Sequence, residues 1–218
     1  MWIHGLVDAV APRRCAGCGL PAPGEVCEAC VELCAALASP PVRVLPFGAC
    51  HAALPFEPPV RAIVHQAKYR GRRGAAAVLG ALVVERLWLA LAQPPPPRLL
   101  VVPVPLGRRR RRGRGYNQAA LLAEALARQA GAPCSPPGQA TRVRETAPQV
   151  GRTGADRRAA VEGAFAWHGP SLRGATVWLV DDVVTTGATM AAAATPLQQA
   201  GASRIDGVAA AIVCGRGA

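Results

Sequence analysis

Apolar residues along this chain come in two kinds of run. The short continuous ones, Leu99-Leu100-Val101-Val102, Val177-Trp178-Leu179-Val180 and residues 204–213, read as buried strands. The longer ones read as helices. Asn117 opens a strong helix that continues through Leu121, Leu122, Ala125 and Leu126 to Gln129, with Gly131 placed as its C-cap. A second helix is expected over about Ala188 to Ala200, with Gly201 past its end. Residues 60–92 read as a helix from Val60 to Gln66, a basic break from Lys68 to Arg73, and a helix from Gly74 to Ala92, after which Pro94 to Pro97 form a stiff stop. Short strands are predicted around Val42 to Leu45, Gly48 to Ala53 and Gly163 to Trp167, and residues 132–160 are polar with no element assigned. Strands alternating with helices argue for an α/β fold with a mostly parallel sheet flanked by helices.

The first part of the chain breaks this pattern. Residues 13–34 hold five of the eight cysteines, with Gly17, Gly19, Pro21, Pro23 and Gly24 between them, and read as a small loop-rich module. Cys15-x2-Cys18-x8-Cys27-x2-Cys30 is a good tetrahedral set for a structural Zn²⁺, with two hairpin-like knuckles each supplying two thiolates. Cys34 is an alternative ligand, and reduced unliganded thiols are the plainer reading. Cys50, Cys134 and Cys214 are expected to be buried or incidental. The chain of 218 residues is long enough for one α/β domain and a small appendage, which divides it into a zinc-binding module at 1–40 and a larger domain at 41–218.

No run reaches the roughly 20 apolar residues of a membrane span. The longest, Gly74 to Ala92, is interrupted by Glu85 and Arg86. Residues 1–12 have the pattern of one short amphipathic turn or helix and lack the basic start of a signal peptide, so a cytoplasmic location is expected.

The most informative stretch follows the strand at 177–180. Asp181 and Asp182 come at its C-terminal end, where α/β folds bind ligands. Val183, Val184, Thr185, Thr186, Gly187, Ala188 and Thr189 then lead into a helix. The backbone N–H groups of such a turn, with the helix N-terminus behind them, make an anion-binding nest. The threonines add hydroxyl donors, and Gly187 lets backbone approach a phosphate. Two carboxylates would repel a phosphate, so ribose hydroxyls, with Mg²⁺ nearby, suit them better. A plain strand–turn–helix junction is the competing explanation.

The formal net charge of +12 points to phosphate, nucleic acid or anionic lipid, or simply to a solvated surface in an arginine-rich chain. Lys68 is the single lysine among 24 arginines, which hints at a need for a compact ammonium. Arg108 to Arg112 and Arg114, just before Tyr116, combine charge with an aromatic ring, as single-stranded nucleic acid binding requires; a solvated loop is the alternative. His4, His51, His65 and His168 show no ligand or triad spacing, and no hydrolase elbow or complete P-loop is present.

The string from Val177 to Thr189 resembles the phosphoribosyl-pyrophosphate signature of type I phosphoribosyltransferases. More of the chain resembles the ComF family, phosphoribosyltransferase-like proteins linked to DNA uptake in competent bacteria. The motifs are Pro12 with Cys15 and Cys18, Lys68-Tyr69-Arg70-Gly71, Val102-Pro103-Val104-Pro105, Arg114-Gly115-Tyr116-Asn117-Gln118 and Arg144-Glu145-Thr146-Ala147-Pro148-Gln149. Arg157, Ala164 and Phe165, then the acidic turn and Gly201-Ala202, complete the series. Tyr116 stands where phenylalanine is usual in that family, and Ala160 where asparagine is. The resemblance implies a type I phosphoribosyltransferase-like, Rossmann-like domain. Asp181 and Asp182 would bind the ribose hydroxyls, residues 183–189 the 5′-phosphate, and Lys68 the pyrophosphate with Mg²⁺. Arg70, Arg114, Arg142, Arg144 and Arg152 would contact pyrophosphate or nucleic acid, the last three from a flexible catalytic loop. The implied biology is handling of single-stranded DNA in natural transformation, with phosphoribosyl pyrophosphate or a related nucleotide as ligand and a competence helicase as a partner. An active phosphoribosyltransferase of nucleotide salvage is the alternative.

Overall fold

A computed structural model describes residues 13–91, 94–107, 112, 115–144 and 161–214. Its centre is a five-stranded sheet in the order β1-β2-β7-β6-β3. Strands β2 (Gly48–Pro55), β7 (Arg204–Ile212), β6 (Thr176–Val184) and β3 (Leu99–Pro103) are parallel, and β1 (Arg43–Leu45) adds an antiparallel edge. A separate two-stranded ribbon joins β4 (Ala140–Arg142) to β5 (Phe165–Trp167). Five helices complete the described fold: α1 (Glu28–Ala36), α2 (Val60–Tyr69), α3 (Arg73–Ala90), α4 (Gln118–Ala130) and α5 (Ala188–Gln199). The expected mixed α/β architecture with a mostly parallel sheet is therefore present.

Each face of the sheet has its own core. Trp178, Val180, Leu54 and Val208 pack with Ile63, Leu79, Leu87 and Leu126 from α2, α3 and α4. Val177, Leu179, Ala209 and Ile212 pack with Met190, Ala193 and Leu197 of α5 and with Phe165 of the ribbon. The strands are apolar on both sides because both faces are covered.

Local chemistry explains where the elements begin and end. The Asn117 side chain accepts from the Ala119 N–H at 3.2 Å and caps α4, and Gly131 closes that helix in the left-handed conformation. Three expectations need correction. Helix α2 continues through Lys68 and Tyr69, so the basic break shrinks to three residues and Gly71 makes the turn. Strand β6 continues four residues past Val180, because Asp181, Val183 and Val184 pair with Ala209, Ala211 and Ile212 of β7. The cysteine-rich module is not all loop: α1 forms there because Cys30 and Cys34, four residues apart, bury the same helix face.

The module joins the core through α3. Arg86 Nη1 donates to the Leu37 carbonyl at 2.8 Å and the Ala53 carbonyl at 3.4 Å, and Nη2 donates to the Ala35 carbonyl. One guanidinium thus satisfies the C-terminal end of α1 and ties it to β2, as its fork of donors permits. Arg86→Leu should orphan these carbonyls and cost about 2–3 kcal/mol in chemical denaturation, and Arg86→Lys should recover less than half of the loss.

Candidate functional site

The acidic pair lies in the last stretch of the β6 ladder. Lys68, in the last turn of α2, places Nζ 2.8 Å from Asp182 Oδ2, and both side chains are largely shielded from solvent. Two motifs far apart in sequence thus meet in one ion pair. Asp181 faces otherwise. Its Oδ1 accepts from the Asp182 N–H at 2.8 Å, and it pairs in register with Ala209 on the α5 side of the sheet. Burial, reinforced by the negative charge of Asp182 and opposed by Lys68, raises the Asp181 pKa from 3.8 to about 7. Carboxyls perturbed in this way cluster at functional sites.

The turn after β6 is built for close packing. Thr185 and Thr186 are exposed, and the Thr186 hydroxyl accepts from the Ala188 N–H at 3.4 Å. Gly187 has φ +80°, and a Cβ there would stand 2.5 Å from Leu45 Cδ2, so glycine is required by conformation and by β1 alike. Arg43 of β1 donates to the Thr185 and Val213 carbonyls and brings a guanidinium to the turn. Sequence reasoning missed Arg43, because nothing in its neighbourhood sets it apart from the other arginines.

The remaining predicted residues divide. Arg70 is exposed at the C-cap of α2, beside Tyr69, which is 63 % exposed and lies 4.6 Å ring to ring from His65. Arg142 sits on β4 over the Phe165 ring and donates to the Arg144 carbonyl at 3.3 Å. Arg144 donates to the Glu162 carbonyl. Arg142 belongs to the ribbon that packs on α5, and Arg144 follows two residues beyond it. Arg114 and Arg152 lie outside the described residues, as do Arg108 to Arg111, Arg157 and Ala160. Tyr116 is half-buried, with the Arg73 guanidinium 4.6 Å from its ring centroid, so that face of the ring is occupied from within the protein.

The second candidate centre is the cysteine cluster. The sulfurs of Cys15, Cys18, Cys27 and Cys30 all lie within 4.8 Å of one another, and those of Cys18 and Cys27 are 3.8 Å apart. A tetrahedral ion with metal–sulfur bonds of about 2.3 Å has sulfur–sulfur edges of about 3.8 Å, so the set fits a structural metal such as Zn²⁺. Burial works against the Cys15 thiolate, but backbone N–H groups of Cys27, Cys18 and Gly17 outweigh it and lower its pKa from 9.0 to about 6. The two ligand pairs are built differently. Cys15 and Cys18 flank a turn, whereas Cys27 is the N-cap of α1 and Cys30 lies in its first turn, where the helix end favours negative charge. The expectation of two hairpin-like knuckles is corrected accordingly. Cys34 is fully buried and stands outside the cluster.

No helix among the described residues is long and apolar enough to cross a membrane.

No protein-family model matches the chain. The DNA utilization protein YhgH of Salmonella typhi is 36 % identical over 195 residues, which cover 88 % of this chain and 80 % of that protein. The protein of the same name from Salmonella typhimurium is 35 % identical over the same span. Among solved structures, TT1426 from Thermus thermophilus aligns with 66 % of this chain and 85 % of its own at a TM-score of 0.36 and 18 % identity.

Two outcomes follow from these centres. The purified protein should carry one zinc per chain by elemental analysis; Cys15→Ser should abolish it and lower the melting temperature, and Cys34→Ala should keep the metal. Asp181 has a folded-state pKa above its unfolded value, so its contribution favours folding below about pH 4 and is lost as pH rises through about 7. Asp181→Asn should therefore match the parent at pH 4 and be the more stable of the two at pH 8, read as a higher melting temperature.

Proposed function

The chain belongs to the family of the DNA utilization protein YhgH, and on that footing we propose that it is a cytoplasmic phosphoribosyltransferase-like protein of DNA uptake. It binds phosphoribosyl pyrophosphate with Mg²⁺ at the end of β6 and handles single-stranded DNA beside that site. In this reading residues 1–40 form a zinc-bound module that docks a partner such as a helicase, and residues 41–218 form a type I phosphoribosyltransferase-like domain.

The observation that carries the reading is the Lys68–Asp182 ion pair at 2.8 Å. Asp182 and Asp181 engage the ribose hydroxyls. Lys68, released from Asp182 as those hydroxyls arrive, turns to the pyrophosphate. Residues 183–189 take the 5′-phosphate on the exposed Thr185 and Thr186 and on the first amides of α5, which have no partners within the helix. Arg43 adds positive charge from the other side of the turn. The arrangement supplies positioning and charge neutralisation, which is what a reaction at the ribose anomeric carbon needs from a protein.

The DNA reading draws support from Tyr69 and Arg70. An exposed ring next to an exposed guanidinium, directly after Lys68 in the chain, has the chemistry of a stacking and phosphate-contact pair.

Calorimetric titration of the metal-loaded protein with phosphoribosyl pyrophosphate and Mg²⁺ should give saturable binding to the parent, and none to the Asp181→Ala/Asp182→Ala variant at the same concentrations. A folded parent that does not bind would overturn the pocket assignment. In the same preparations, Tyr69→Ala should weaken an oligothymidylate by roughly 1–3 kcal/mol without altering phosphoribosyl-pyrophosphate binding.

A further inference from the structure

Helix α3 is apolar on every side. Of its 18 residues only Arg73, Glu85 and Arg86 are charged, and the rest are glycine or hydrophobic. Ala75, Leu79, Val83 and Leu87 are buried on one face, and Arg86 turns to the carbonyls at the end of α1. The opposite side carries a ridge of every fourth residue, Arg73, Ala77, Ala81, Glu85 and Leu89, each of them exposed and Leu89 to 76 %. The ridge is one wall of a groove of about 920 Å³ between α3 and α4, and the other wall includes Leu121, which is 53 % exposed. A helix with this composition needs cover on more than one side, and apolar surface on this scale marks an interaction site.

Charge selects the occupant. The chain has 25 basic residues against 13 acidic ones, yet three of each line this groove: Lys68, Arg73 and Arg128 against Asp182, Glu85 and Glu124. A nucleic acid or an anionic membrane meets no excess of positive charge here, and a second copy of the chain meets no net like charge. The order of the charges along the ridge goes further. Arg73 and Glu85 lie at equal distances on either side of Leu79, and so do Ala77 and Ala81. When two α3 helices pack antiparallel about a two-fold axis at Leu79, each Arg73 therefore falls opposite the Glu85 of the other copy, and each small Ala77 opposite an Ala81. The Tyr116 ring, 4.6 Å from the guanidinium, holds Arg73 at its end of the ridge. Glu85 has no ion-pair partner among the described residues of its own chain. At mid-groove a Cβ on Gly80 would meet nothing within 4 Å, which leaves room for a second helix to approach the backbone. The groove follows α3 from Arg73 to Leu89, about 24 Å, so α3 has the length that fills it. Two adjacent helices present a face about 20 Å wide, and with side-chain relief this face approaches the roughly 800 Å² per partner of a standard stable interface.

We propose that the chain forms a symmetric dimer through α3 and α4, with the α3 ridge of each copy seated in the groove of the other and Arg73 paired to Glu85 across the two-fold axis. This inference stands apart from the ligand assignment of the acidic pair. Lys68 and Asp182 lie at the Arg73 end of the groove, where the Tyr116 ring packs on Arg73, so the two acidic sites lie at opposite ends of the shared interface.

The test is analytical ultracentrifugation of the full, metal-loaded chain. The parent should sediment as a dimer of the 22.5 kDa chain. Arg73→Glu and Glu85→Arg each set like charges against one another twice per dimer, and each should weaken association about tenfold or more. Glutamate suits the first position of α3 and arginine its exposed interior, so both variants fold. Mixed in equal amounts, the two variants should form a heterodimer within about threefold of the parent affinity, because every pair across the axis is again of opposite charge. The double variant Arg73→Glu/Glu85→Arg should dimerise on its own to the same extent. A monomeric parent would overturn the proposal and leave the groove to a helix of another protein or to a small apolar ligand. A dimer unmoved by either substitution, or two variants that stay apart when mixed, would overturn it as well.

Discussion

Two carboxylates on consecutive residues at the end of a central strand repel each other, and much of the surrounding structure can be understood as the response to that repulsion. The strand extends through both residues, so that neighbouring strands hold the backbone while the side chains diverge. Asp182 is balanced by Lys68 across a 2.8 Å contact. Asp181 accepts from the Asp182 N–H and feels the Lys68 charge, but burial and the Asp182 charge outweigh both and push it toward protonation. A site optimised for stability alone would not keep both acids. Under the function proposed above, an incoming ligand would bring the hydroxyl donors or the cation that relieve the pair.

The single lysine is informative for the same reason that the many arginines are not. Charge alone could not say whether the arginines served phosphate, nucleic acid or solvent. Several turn out to act as braces within the protein: Arg86 on the carbonyls at the end of α1, Arg43 on the turn before α5, and Arg73 on the Tyr116 ring. A guanidinium with five donors suits these carbonyl clusters better than an ammonium would. Lys68, by contrast, meets one carboxylate oxygen at the tip of a helix, a task for a compact charge.

What was legible in the sequence depended on how local the cause was. The strands at 99–102 and 177–180 follow from uninterrupted apolar runs, and α4 follows from its own caps, Asn117 and Gly131. The cluster of Cys15, Cys18, Cys27 and Cys30 follows from spacing, which depends on a few residues of chain. Elements decided by distant partners were read short or missed. The continuation of β6 depends on β7, twenty-eight residues later in register, and its polar residues look like a turn until that partner is in place. Helix α1 was hidden because its buried face is made of Cys30 and Cys34, which in sequence look like ligands rather than core. The ribbon of β4 and β5 brings together segments separated by residues that carry no strand pattern. The meeting of Lys68 with Asp182 had a motif on each side, but nothing in either motif gave the geometry.

The cysteine cluster and the acidic pair are joined by a short mechanical path. Arg72 Nε donates to Glu25 Oε2 at 2.7 Å, and its other nitrogens hold the carbonyls of Glu25 and Arg14. Glu25 lies in the loop between Cys18 and Cys27, and Arg14 immediately precedes Cys15. Arg72 lies four residues after Lys68, in the turn that joins α2 to α3. The loops therefore fix the turn, the turn fixes the end of α2, and the end of α2 presents the ammonium to Asp182. The cysteine cluster and the acidic pair are thereby held in one continuous frame. Packing the module against α3, rather than leaving it on a free tether, is what makes that frame continuous.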